Sequence, residues 1–162
     1  MVIALLSFAT PSMASPEIGR PAPSFTTDDT MGQTMSLADF KGKTVVLEWT
    51  NPDCPFVHKH YDTGNMQALQ KEAVADGVIW IAIDSSAKGK EGHYPASELN
   101  AIYAERKATL SHVVIDDTGR IGKLYGAKTT PHMFVINADG DLVYSGAIDD
   151  TPTADKDDVK TA

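Results

Sequence analysis

The chain has a single cysteine, Cys54, set in the stretch LEWTNPDCPFVHKHY (47–61) between an apolar run and a proline. Proline at the first position of a helix loses nothing by lacking an N–H, so Pro55 predicts a helix start with Cys54 as its N-cap. A sulfur so placed faces the unpaired N–H groups of Phe56 and Val57, and the positive end of the helix favours thiolate over thiol. Thiolate is the nucleophile and also the metal ligand. Asp53 works against this unless its carboxylate turns away. Free cysteine is commonly a small buried hydrophobe, but a strand, Cys-Pro and a helix in succession favour a reactive thiol here. Thr130-Pro131, directly before the apolar run HMFVI, is the second mark: an X-Pro bond in that position is a candidate cis peptide.

A soft donor set surrounds the two marks. Cys54, His58, His60, Met66, His132 and Met133 are residue types that suit copper(I). Two histidines two apart on a helix diverge, so His58 and His60 are expected to face solvent, and His132 alone has a path to the sulfur.

The elements that must hold these residues are legible as a succession. Phe25 sits near a short strand, and DDTMGQTMSL turns at Gly32 as a hairpin. Ser36 caps the single turn LADF, which stops at Gly42. TVVLEWT (44–50) and GVIWIAID (77–84) are nearly continuous apolar runs, as in strands buried on both faces. Gly64-Asn65 breaks the helix after Cys54, and Asn65 can cap a second stretch, MQALQKEAVAD. ASELNAIYAERKA (96–108) puts Leu99, Ile102 and Tyr103 on one face of an amphipathic helix. HVVIDD is a strand, GRIGKLYGA a short helix, and HMFVI and DLVYSG a hairpin closed by Asp139-Gly140. Alternating strands and helices predict parallel strands with right-handed crossovers; the final hairpin adds antiparallel strands at one edge. The expected class is α/β, a mixed central sheet with helices on both faces. Trp49 and Trp80 are read as core.

This order resembles thioredoxin-fold proteins. SFTTDDTMGQTMSLADFKGKTVVLEWTNPDCPF is similar to the opening of the redoxin branch, the peroxiredoxin and alkyl hydroperoxide reductase/thiol-specific antioxidant group, and GAKTTPHMFVINADGDLVYSG to its closing half. The resemblance spans about residues 21–148. It implies a thiol-dependent oxidoreductase without a cofactor, acting on a peroxide or on a protein or small-molecule disulfide, and regenerated by a reducing thiol partner. It implies that Cys54 is the active thiol and that Pro131 is cis and faces it. Pro55 and Thr130 flank the substrate, with Thr130 lending its backbone. The chain departs from the family in two places. Val57 stands where Cys-x-x-Cys proteins have their second cysteine. Asn51 and Leu47 stand where peroxiredoxins have a threonine or serine and a proline, which leaves Thr50, Asn51 and backbone N–H groups as donors to a substrate. Arg106 and Arg120 have no spacing that ties them to the site. Relatives with the Cys-Pro-x-Val segment run on into another helix and a late cysteine, so two-cysteine chemistry stays open. A non-catalytic binding domain and a copper-binding module are the alternatives.

Composition bounds the rest. The 162 residues suit one core, and 22% charged residues suit a globular chain. A formal net charge of -8 disfavours nucleic acid as a partner. Residues 1–14 are expected to be the remnant of a signal peptide: Val2–Ala9 is apolar, and Ser12-Met13-Ala14 fits a cleavage site. That points to a periplasmic or secreted protein, cytoplasmic otherwise, with no membrane span. Residues 15–150 are expected to form the domain. DDTPTADKDD, inside an acidic terminal segment 151–162 and just before it, is read as solvated, its end as the start of a helix.

Overall fold

The structure is a computed structural model and describes residues 15–161; residues 1–14, where the signal peptide is expected, and residue 162 lie outside the described residues. The chain opens with a hairpin of β1 (Thr26–Asp28) and β2 (Thr34–Ser36). It turns at Gly32, whose φ of 79° suits a residue without Cβ. Ser36 then caps a 3-10 turn, Leu37–Phe40, in a reciprocal box with Asp39.

The remaining strands form one sheet. β3 (Val45–Trp49), β4 (Ile79–Asp84) and β5 (His112–Ile115) are parallel, and β6 (His132–Ile136) and β7 (Leu142–Gly146) add the antiparallel hairpin, giving the order β5-β4-β3-β6-β7. β3 is central, and all five of its residues are buried. Its side chains alternate between the faces. Val45, Leu47 and Trp49 pack with Ile81, Ile83, Phe134 and Ile136 beneath the N-terminal hairpin and α4 (Arg120–Tyr125). Val46 packs with Trp80, Ala82 and Met133 beneath α1 (Pro55–Asp62), α2 (Asn65–Ala75) and α3 (Ala96–Glu105). Both tryptophans are core, as expected.

Two of the boundaries that differ from the sequence reading have a local backbone cause. Gly64, at φ 79°, caps α2, while the Asn65 amide reaches back 2.9 Å to His60 Nδ1. α3 ends three residues early, where Lys107 turns to φ 57° and breaks the helix. Among the described residues no helix is long and apolar enough to cross a membrane.

Candidate active site

Cys54 is the N-cap of α1, with extended backbone (φ -69°, ψ 126°) and Pro55 as the first helical residue. The sequence led to a sulfur facing the helix N–H groups, but it makes no hydrogen bond to them. It lies 3.3 Å from the carbonyl oxygen of Thr130, to which the thiol donates. The Thr130-Pro131 bond is cis. β3 and β6 are adjacent and antiparallel, with Trp49 opposite His132. The loop that leaves β3 and the turn that enters β6 therefore emerge at the same end of the sheet, which brings together residues 76 apart in sequence. Cys54 keeps part of its surface open.

The loop carrying Cys54 is held from the side opposite that turn. The Asn51 amide donates to Ser86 Oγ at 3.3 Å and to the Glu91 carbonyl at 3.2 Å, while its oxygen accepts from the Asp53 N–H at 2.8 Å. Asp53 turns away from the sulfur and accepts from Gly92 N–H at 3.0 Å and Tyr94 Oη at 2.8 Å. Gly92 has φ 84°, and a Cβ there would sit 2.3 Å from the Asn51 side chain, so the two segments pack backbone to side chain. Arg106, which spacing did not connect to the site, donates from Nη2 to the Pro52 carbonyl at 2.8 Å and lies over the Tyr61 ring.

Of the expected substrate residues, Thr50 and Asn51 line a small pocket together with Thr129 and Thr130, beside the cis turn. Thr50 is buried, its hydroxyl beside that of Tyr103 without a hydrogen bond of good geometry. Asn51 is engaged in holding the loop. Pro55 is exposed at the start of α1 but does not line the adjoining groove. Thr130 and Pro131 do line it. That groove, of about 390 Å³, runs from Phe56 and the cis turn to the segment Ala147–Thr153, with Lys59 and His60 at its back.

The donor set of the copper reading is dispersed. His58 pairs with Asp62 at 3.4 Å, and Met66 and Met133 are core. His132 stacks on Phe134, and its Nδ1 accepts from Lys128 N–H. His60, expected in solvent, is 2% exposed. Among the described residues no three His, Cys, Asp or Glu side chains converge as a metal site would require.

Two buried charge clusters were missed. Lys59 is 1% exposed and donates to Asp149 Oδ2 at 2.7 Å and to the Thr151 carbonyl at 3.2 Å. His60 Nε2 lies 3.4 Å from the same carboxylate oxygen. Asp149 therefore leaves the solvated acidic segment to which the sequence reading assigned it. Nothing local signals this, because the partners are 90 residues apart.

Glu48 is the second cluster. It is fully buried and accepts from Trp80 Nε1 (2.8 Å), Gln70 Nε2 (3.2 Å) and Tyr61 Oη (3.1 Å). A signal existed here: an acid inside TVVLEWT, a strand buried on both faces, must itself be buried. Burial holds its carboxyl above the usual range, outweighing the three donors and Arg106. A group raised in the folded state contributes fully below its unfolded value, and that contribution is lost as pH rises through the folded one. Asp84, also raised by burial, acts in the same sense, and His60, lowered by burial, in the opposite sense. Denaturant titrations of wild type and Glu48→Gln isolate the Glu48 part. The wild type loses stability relative to the variant as pH rises above about 4.5. A difference that does not change with pH would contradict a protonation-linked Glu48.

A five-stranded mixed sheet with helices on both faces, and a thiol at a helix start beside a cis-proline turn, define the thioredoxin-like class. The sequence model of the Redoxin family matches residues 17–162, and the chain belongs to that family. It is 28% identical over 134 residues to the thiol-disulfide oxidoreductase ResA of Bacillus thuringiensis subsp. konkukian, covering 78% of this chain and 68% of the relative. It is 27% identical over 132 residues to ResA of Bacillus subtilis, covering 77% and 64%. Among solved structures, an uncharacterized conserved protein from Geobacillus kaustophilus superposes with a TM-score of 0.75 at 23% identity, over 90% of this chain and 79% of the other. The thioredoxin domain of a thiol-disulfide oxidoreductase from Bacteroides vulgatus superposes with a TM-score of 0.63 at 22% identity, over 90% and 97%. These two show a shared fold.

Proposed function

We propose that this protein is a thiol-dependent oxidoreductase whose Cys54 exchanges with disulfides of polypeptides outside the cytoplasm. The observation that carries the proposal is the half-buried Cys54 at the start of α1, its sulfur 3.3 Å from the carbonyl of Thr130, a residue that lines an apolar groove. In the exchange the Cys54 thiolate attacks one sulfur of R–S–S–R′. The Cys54–S–S–R bond forms, the S–S bond of the substrate breaks, and R′–S⁻ leaves with the electron pair. A second thiolate then attacks the mixed disulfide and returns Cys54 to the thiolate.

Disulfide exchange is favoured over peroxide reduction by the same geometry. Polarising an O–O bond needs donors aimed at it, and the side-chain candidates are buried or held elsewhere: the Thr50 hydroxyl is buried without a hydrogen bond, the Asn51 amide holds the loop and Arg106 Nη2 donates to Pro52. The relatives named as thiol-disulfide oxidoreductases agree with this reading. Residues 1–14 fit a leader removed on export, and residues 15–150 the exchanging domain.

The test is a paired rate measurement: reduction of insulin disulfides by dithiothreitol with and without the protein, against consumption of hydrogen peroxide. Acceleration of insulin reduction, with peroxide consumed no faster than by a free thiol, is expected. Fast peroxide consumption with no effect on insulin would replace the reading with a peroxidase.

A further inference from the structure

The groove beside Cys54 has two cationic residue types at its back, and neither is free to receive an anion. Lys59 is 1% exposed and fully engaged with Asp149 and the Thr151 carbonyl. His60 is equally enclosed: Asn65 donates to Nδ1, and Nε2 points at Asp149. Burial lowers the proton affinity of this ring and so disfavours its charged form. What a ligand meets is therefore apolar: Phe56, Pro131, Ile148 and Pro152. At the rim stands Asp150, exposed, accepting from the Thr151 hydroxyl at 3.3 Å and paired with no cation among the described residues. The chain around it carries a net charge of -8.

We propose that this groove receives the group borne by the sulfur that Cys54 captures, and that it selects apolar groups that are neutral or cationic and rejects anionic ones. The occupant is a polypeptide cystine flanked by apolar and basic residues; an acidic disulfide such as oxidised glutathione is a poor substrate. The inference rests on the disulfide-exchange reading and uses the same balanced step, so it needs no further oxidant or reductant. The ion pair of Lys59 and Asp149 builds the selectivity, because it occupies the only lysine or arginine among the residues lining the groove.

The test is the rate at which the reduced protein forms mixed disulfides with cystamine, bis(2-hydroxyethyl) disulfide and oxidised glutathione, followed by mass spectrometry. Each rate is divided by that of a free small thiol, and alkylation by neutral iodoacetamide reports the nucleophilicity of Cys54 separately. One charge at about 7 Å in water is worth about threefold in rate, so cystamine is expected to outrun glutathione disulfide by about tenfold or more at low salt, with the ratio shrinking at high salt. Asp150→Lys changes the charge at the rim by two and lowers that ratio by about fiftyfold or more. Asp139→Lys makes the same change in net charge in the hairpin at the opposite end of β6, and leaves the ratio within about twofold.

A ratio near one with normal alkylation overturns the groove selectivity and leaves the exchange reading standing. Equal shifts in the two lysine variants overturn it as well, since the preference would then belong to the whole surface. No reaction with iodoacetamide or any of the disulfides overturns the exchange reading itself.

Discussion

Lys59→Met lowers the unfolding free energy by about 3 kcal/mol. The ammonium is 1% exposed and the Asp149 side chain 9%, so the pair sits away from water. Two charges in such a place attract strongly, but each has lost its hydration, and the pair roughly breaks even against apolar residues of the same size. Removing one partner is different, because Asp149 loses its ammonium and keeps only the His60 ring, at 3.4 Å, beside it. For a domain of this size the loss corresponds to roughly 6–12 °C in Tm. Lys59→Met combined with Asp149→Leu recovers most of it, since no charge is then stranded. Calorimetry on the two variants checks both halves. A single variant within about 0.5 kcal/mol of wild type would show that residues 147–153 swing out and rehydrate Asp149 at little cost. The groove wall next to Cys54 would then be loose instead of clamped.

Cys54→Ser abolishes disulfide exchange, by a factor on the order of 10³ or more. A serine hydroxyl is scarcely ionised near neutral pH, and only the deprotonated atom attacks a disulfide. The fold should hardly notice, because the sulfur makes one hydrogen bond, to Thr130, and a hydroxyl can make it too. The insulin assay and a denaturant titration together separate loss of the nucleophile from loss of the fold. Residual exchange above a tenth of the wild type would dismiss Cys54 as the reacting atom. The same logic explains why wild type should accumulate a mixed disulfide. Val57, three residues on, is fully buried where a second thiol would resolve it, so release awaits an external thiol. Mass spectrometry after limiting disulfide should find one adduct per chain.

The strands, the helices and the thioredoxin-like order were readable because their signals are local. Runs of β-branched residues, a proline at the start of α1, Ser36 with Asp39 and the Asp139-Gly140 turn each act within a few residues. Their boundaries slipped where backbone conformation decided them, as at Gly64 and Lys107. The site was readable only as a list of residue types. The sequence could name Cys54 and Pro131; it misjudged which group the sulfur bonds and whether His60 meets water.

Taken by itself, the amino-acid sequence determined which segments fold, which residue is the thiol and which proline can kink beside it, since propensity, capping and hydrophobic period are properties of neighbours. Only the tertiary structure decided that Lys59 closes on Asp149, that Arg106 reaches Pro52 and that Glu48 is enclosed by Tyr61, Gln70 and Trp80. Those pairings join residues 13 to 90 apart through the packing of three helices on one sheet face. The energy of each depends on burial, which no single stretch of sequence carries.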